Sequence, residues 1–205
     1  MSTNVTIKEA LIQEQILLAA KQLFTVHGLA KVTMDDVAKA IGKGRSSLYY
    51  YYKSRDEIFD AVVDMEINDT FAAVEKAVGR ADAAEGKFHA FCTAKLKVAK
   101  EKGSFFNALE AGMDADALTH FNKTRTATRD RIMKRETALL TRIVQEGIAS
   151  RELPPIEKTK MDNLIFVMLG CVHGLKRLMH IERHTRPVEA VAAQFTGLIM
   201  HGLRK

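Results

Sequence analysis

Leu48-Tyr49-Tyr50-Tyr51-Tyr52-Lys53-Ser54-Arg55 holds all four tyrosines of the chain in consecutive positions. Successive helical residues point about 100° apart, so four in a row face four directions and cannot all be core. Leu48 and Tyr52, four apart, share one face and are expected to pack inward. Tyr50 and Ser46 then lie on the exposed side, with Tyr49 and Arg45 along one flank and Tyr51 along the other. A short protruding helix carrying Arg, Ser and Tyr, followed at once by Lys53 and Arg55, suits a nucleic-acid surface. Arginine reads guanine edges through paired hydrogen bonds, hydroxyls bond phosphates or base edges, and lysines neutralise backbone charge. An aromatic patch packed on another helix is the competing reading of the same residues.

Upstream, Thr33 precedes Met34-Asp35-Asp36-Val37-Ala38-Lys39-Ala40-Ile41. This is an N-cap threonine, two acids that suit the positive end of a helix, and apolar Val37 and Ile41 four apart. Gly42-Lys43-Gly44 breaks the pattern, and a new helix restarts through Arg45-Ser46-Ser47. Two short helices joined by a tight glycine-containing turn make a helix-turn-helix, whose second helix enters the major groove. Before them, residues from about Lys8 to His27 predict an amphipathic helix with Ile16, Leu17, Ala20, Leu23 and Phe24 on its apolar side. Gly28 is expected to close it in a left-handed cap.

The quoted residues fall into three ordered blocks: Ala19-Ala20-x-x-Leu23-Phe24-x-x-x-Gly28, Thr33-x-x-x-Val37-Ala38-x-x-Ile41-Gly42, and Leu48 through Arg55 continuing to Asp56-Glu57-Ile58-Phe59. In this order and spacing they resemble the tetracycline-repressor (TetR) family of bacterial transcription regulators, over roughly residues 10–60. The resemblance implies that Arg45, Ser46, Tyr49 and Tyr50 read bases, with Lys43 close by at the turn. It implies backbone contacts for Thr33, Ser47, Tyr51 and Lys53. Lys43-Gly44-Arg45-Ser46 stands where the family usually has Val-Ser-x-Gly. Glycine in place of the capping serine costs a few tenths of a kcal/mol. The changed turn is expected to alter which sequence is read rather than whether DNA is bound.

Charge agrees with an acidic partner. The 205 residues carry a formal net charge of +6. From Lys8 to Arg55 eight basic residues stand against Glu9, Glu14, Asp35 and Asp36, so most of the excess lies in the first quarter. Cys92 and Cys171 sit far apart in apolar helical patterns, which argues against a disulfide framework and for a reducing compartment. The N-terminus lacks the order of a secretory signal, and the longest apolar run, Leu164 to Val172, is shorter than a membrane span. A cytoplasmic bacterial protein without membrane contact is expected.

Three prolines and many Ala, Leu, Lys and Glu predict an all-α chain. Beyond Arg55 the expected helices run over about 56–78, with Phe59, Val63, Ile67, Phe71, Val74 and Val78 in one stripe, then 83–102, ended by Gly103. A short helix is expected around Phe105, Phe106, Leu109 and Met113, and a long one from Asp114 to about Ala149. Pro154-Pro155 interrupts the pattern. The helix from about Glu157 to His184 is apolar nearly all round between Leu164 and Leu175, so two of its sides need cover. Pro187 opens the last helix, with Val191, Phe195, Leu198 and Ile199 on a stripe. The last two helices are therefore the expected homodimer interface, where Gly170 and Gly174 permit close approach.

The expected organisation is a three-helix helix-turn-helix head over residues 1–55 and a helical effector-binding and dimerisation body over 56–205. Phe88, Phe91, Cys92, Phe105, Phe106, Leu109, Met113, Phe121, Phe166, Met168 and His173 could line a cavity in that body, although each taken singly fits plain core. The resemblance implies such a cavity and a small-molecule effector. It also implies a dimer on a palindromic double-stranded DNA operator, most simply as a repressor. His180 and His184 have a metal-like spacing but no accompanying ligands, so no metal is expected. Gly42-Lys43-Gly44-Arg45-Ser46-Ser47 lacks the earlier glycine and preceding strand of a phosphate loop. Nothing nominates a cofactor or a catalytic set. Two other functions stay open: a small-molecule-binding protein of the same fold without DNA recognition, and a helical enzyme using the cavity.

Overall fold

In the computed structural model the described residues are 2–110, 115–183 and 185–204. Their regular structure is helical, with no strand among them. Helix α1 covers Ser2–His27, and a 3-10 turn follows at Leu29–Lys31. Next come α2 (Met34–Ala40), α3 (Arg45–Tyr51), α4 (Arg55–Val78), α5 (Ala84–Glu110), α6 (Ala115–Ala149), α7 (Lys158–Ile181) and α8 (Val188–Leu203).

The chain divides into two compact units: Met1–Asn68 with Ser104–Thr128, and Asp69–Gly103 with Arg129–Lys205. In the first, Ile16, Ala20 and Phe24 of α1 are buried with Val37 of α2, Leu48 of α3 and Ile58, Phe59 and Val62 of α4. The Phe24 and Phe59 rings meet edge to face at 6.0 Å, a favoured aromatic geometry. Lys21 pairs with Glu66, a buried carboxylate of this interior, so that charge has a cation beside it. Gly28 (φ 79°) and Gly42 (φ 64°) take positive φ at the two chain reversals, which glycine adopts without a Cβ penalty.

The second unit is built on Val74 and Val78 of α4, Phe88, Phe91, Cys92 and Leu96 of α5, Leu139, Leu140, Ile143 and Val144 of α6, and the inner faces of α7 and α8. The whole apolar stripe expected along α4 is buried.

Several boundaries differ from expectation. Gly103 does not end α5, which continues to Glu110 and absorbs the short helix expected there. An interior glycine weakens a helix by only about 1 kcal/mol relative to alanine, and the flanking residues are helix formers. The side chains of Phe105, Phe106 and Leu109 and all of Met113 lie outside the described residues, as do Asp114 and His184. Helix α7 ends at Ile181 rather than near His184. By length and composition α7 is long and apolar enough to cross a membrane, more so than the run Leu164–Val172 alone implies. Here Met161, Ile165, Met168, Leu169 and Val172 instead bury one side of it in the core.

Candidate nucleic-acid interface

The helix-turn-helix is locked at both ends by its own sequence. Thr33 caps α2: its Oγ1 accepts from the Asp36 amide at 3.2 Å, while the Thr33 amide donates to Asp36 Oδ2 at 2.9 Å. This capping box satisfies two amide donors that a helix start otherwise leaves free. The Thr33 hydroxyl also donates to Asp36 Oδ2 at 2.6 Å, which holds that carboxyl below the usual range. Gly44 caps α3 without a side-chain hydrogen bond, as the glycine-for-serine exchange implies. Ser54 and Glu57 fix the start of α4, with Ser54 Oγ accepting from the Glu57 amide and Glu57 Oε2 accepting from the Lys53 amide at 2.6 Å.

Between these locks α3 turns a single face inward. Leu48 is fully buried and Tyr52 is 9% exposed. Opposite them Tyr50 is 73% and Tyr49 42% exposed, and Lys43, Arg45, Ser46 and Lys53 are all on the surface. Ser47 and Tyr51 are half-buried on the flanks. The division of the four tyrosines follows the helical period.

Arg45, Tyr49 and Tyr50 are held rather than free. Arg45 Nε lies 3.3 Å from Asp35 Oδ1 on α2, and its Nη2 donates to Tyr49 Oη at 3.2 Å. The guanidinium also stands 5.5 Å from the Tyr49 ring centre. The Tyr49 hydrogen bond, then Asp35, raise the Arg45 pKa. Tyr50 Oη donates to Glu9 Oε1 of α1 at 3.3 Å, and its ring meets Tyr51 edge to face at 5.0 Å. The neighbouring Glu9 charge raises the Tyr50 pKa, so the phenol stays a hydrogen-bond donor. Arg55 pairs with Asp56 at 3.1 Å and is half-buried, a structural role rather than a surface one. Asp35 and Glu9 were not nominated by the sequence. Their partners lie 10 and 41 positions away, on other helices.

Among the candidate cavity residues, Phe88, Phe91, Cys92 and Met168 are buried together in the second unit. Burial pushes the Cys92 thiol up to about 12, so it is an inert core group. Phe121 is buried in the first unit beside Phe59, at 6.0 Å between ring centres. Phe166 is 75% exposed and lies on the outer side of α7, away from that core. His173 is 27% exposed and bonded to Glu136, a buried residue that sequence reasoning passed over together with its other partner, Lys95. No group of His, Cys, Asp and Glu among the described residues could hold a metal ion.

A family model described as bacterial regulatory proteins, tetR family, matches residues 16–62, the span from mid-α1 into α4. Over this segment the chain is similar to the helix-turn-helix region of the tetR family. It is 42% identical over 53 residues to a helix-turn-helix-type transcriptional regulator of Mycobacterium tuberculosis, a match covering 26% of each chain. It is 24% identical over 157 residues to the helix-turn-helix-type regulator YhgD of Bacillus subtilis, covering 75% of this chain and 76% of that one. The match thus spans about a quarter of the length of the first curated relatives. Among solved structures, the regulator FadR of Bacillus subtilis in complex with stearoyl-CoA superimposes with a TM-score of 0.61 at 17% identity, over 92% of this chain and 98% of that one.

Proposed function

We propose that the chain is a transcriptional regulator that binds a palindromic DNA operator as a homodimer and is released from it by a small-molecule effector. The observation that carries this reading is the outer face of α3. It presents Arg45, Ser46, Tyr49 and Tyr50 on a helix anchored by Leu48 and Tyr52, in a segment with a net excess of cations. Arg45, Ser46, Tyr49 and Tyr50 are assigned to bases, with Lys43 at the turn, and Thr33, Ser47, Tyr51 and Lys53 to the phosphate backbone. Repression is the simplest outcome, since a protein seated on promoter DNA blocks transcription by occupancy alone.

The dimer is assigned to α7 and α8. Phe166, Val167, Leu178, Ile181 and Leu198 are exposed on these two helices. Cβ atoms built on Gly170, Gly174 and Gly197 would meet nothing within 4 Å. An exposed apolar surface of this kind favours association, and a two-fold pair of such faces is self-complementary. Residues 1–55 would then read DNA, and residues 56–205 would bind the effector and pair. Two recognition helices would enter successive major grooves about 34–36 Å apart. The effector would favour a spacing that no longer fits the operator, with α4 as the lever. FadR of Bacillus subtilis, seen with an acyl-CoA, supports a ligand-binding role for a body of this fold. The reading places the protein in the cytoplasm with its DNA and assigns it no cofactor and no catalytic step.

Footprinting on DNA from upstream of the protein's own gene tests the reading. Protection of a symmetric site, lost steeply as salt rises, is expected. Equal affinity for that DNA and for random duplex would remove the operator.

A further inference from the structure

The second unit buries a charged cluster that DNA binding does not use. Lys95 of α5, Glu136 of α6 and His173 of α7 meet there: the Lys95 ammonium pairs with Glu136 Oε1, and His173 Nε2 lies 2.8 Å from Glu136 Oε2. Glu136 is fully buried and Lys95 is 7% exposed. Apolar core residues flank each of them on its own helix. Phe91 and Cys92 lie one turn before Lys95, Leu139 and Leu140 one turn after Glu136, and Leu169 one turn before His173, and all five are core residues.

Fold stability does not call for this arrangement, because apolar residues of similar volume often replace a buried ion pair at no loss. The ammonium carries three N–H donors, and among the described residues Glu136 is its one acceptor. The second ring nitrogen of His173 likewise has no partner among the described residues. The surroundings are cationic. Lys176, one turn beyond His173, has its pKa lowered first by desolvation, although its side chain reaches solvent, and then by Lys95. Glu136 opposes this, and Arg129 adds to it. Lys176 and Arg129 are exposed and screened by solvent, so Lys95 and His173 are the groups that touch Glu136.

We propose that this cluster is the headgroup site of the effector, and that it takes a small organic carboxylate with an apolar tail. The carboxylate accepts hydrogen bonds from Lys95 and from the Nδ1–H of a doubly protonated His173, whose Nε2–H stays on Glu136, and the tail lies among the apolar side chains of the same three helices. Of Lys95 and a doubly protonated His173, Glu136 offsets one charge, so a monoanion balances the three side chains where a phosphate dianion would overload them. The inference rests on the effector reading above and deepens it.

Calorimetric titration of the full-length protein with decanoate and with 1-decanol, matched in tail and differing in charge, tests it. Wild type should bind decanoate about tenfold tighter or better, the scale of one hydrogen bond to a charged group. Lys95→Met combined with Glu136→Gln removes both charges without stranding either. It should lose that preference while keeping wild-type helicity and decanol affinity. His173→Gln alone should weaken decanoate severalfold, which keeps the test open should the double variant fail to fold. Equal binding of acid and alcohol, binding of neither, or a preference that survives these substitutions would overturn the site. Tighter binding of decyl phosphate would overturn the carboxylate assignment. Operator release is read in the same samples. Decanoate bound through Lys95 with DNA retained would contradict the effector reading and leave the site standing. Release by compounds indifferent to these substitutions would do the reverse.

Discussion

Arg45 of α3 is tied to Asp35 of α2, with Nε 3.3 Å from Oδ1, so the side chain assigned to base reading is aimed by a residue of the preceding helix. Arg45→Ala should therefore cost roughly 1–3 kcal/mol of discrimination at one base pair per half-site. Asp35→Ala keeps the cation but releases it. It should tighten binding to random duplex, because a carboxylate is gone, and lower the preference for the operator. Anisotropy titrations on operator and single-base variants read both effects, and unchanged discrimination in both variants would clear the pair of any role.

Thr33→Ala removes the side-chain half of the capping box and should destabilise the protein by about 1 kcal/mol in urea unfolding. The same bond shapes acid stability. Thr33, through its hydroxyl and then its amide, holds the Asp36 carboxyl below its ordinary value. A folded pKa below the unfolded one stabilises fully above about pH 4 and is lost as pH falls through the depressed value. Between those values Thr33→Ala should show a smaller acid-induced loss than wild type, and an identical loss would contradict the assignment.

Leu48→Ala should cost about 2–5 kcal/mol, since Leu48 is fully buried beneath α3 and truncation leaves a cavity. Tyr50→Phe, on the exposed side, should leave unfolding nearly unchanged while weakening DNA binding. Equal destabilisation by the two changes would mean that α3 does not divide into an inner and an outer face.

Charge placed on the outer faces of α7 and α8 should break the dimer. Leu198→Glu combined with Phe166→Glu should convert a dimer to a monomer by sedimentation, with helicity retained because both side chains are exposed in the single chain. A dimer that survives both changes would move the interface elsewhere.

The helical period carried most of the fold. The inward pair Leu48 and Tyr52, the outward Tyr50, the Thr33 cap and the α4 stripe all follow from spacing of three and four. Gly103 misled because glycine only weakens a helix, and whether a helix stops there is decided by packing on either side. Cross-helix pairs such as Arg45 with Asp35, or Tyr50 with Glu9, leave no periodic trace. Lys95 and Glu136 did leave one, since each lies three or four residues from core positions on its own helix. Long charged side chains at such positions usually reach solvent, and only the three-helix packing shows that these do not.

Selection of bound sites from a random duplex pool, run in parallel on wild type and Arg45→Ala, tests the account most directly. Wild type should yield a two-fold symmetric motif with half-sites about one helical turn apart, and the variant should lose preference at one position per half-site. A pool that emerges unenriched with wild type, or the same motif at the same strength from both proteins, would contradict it.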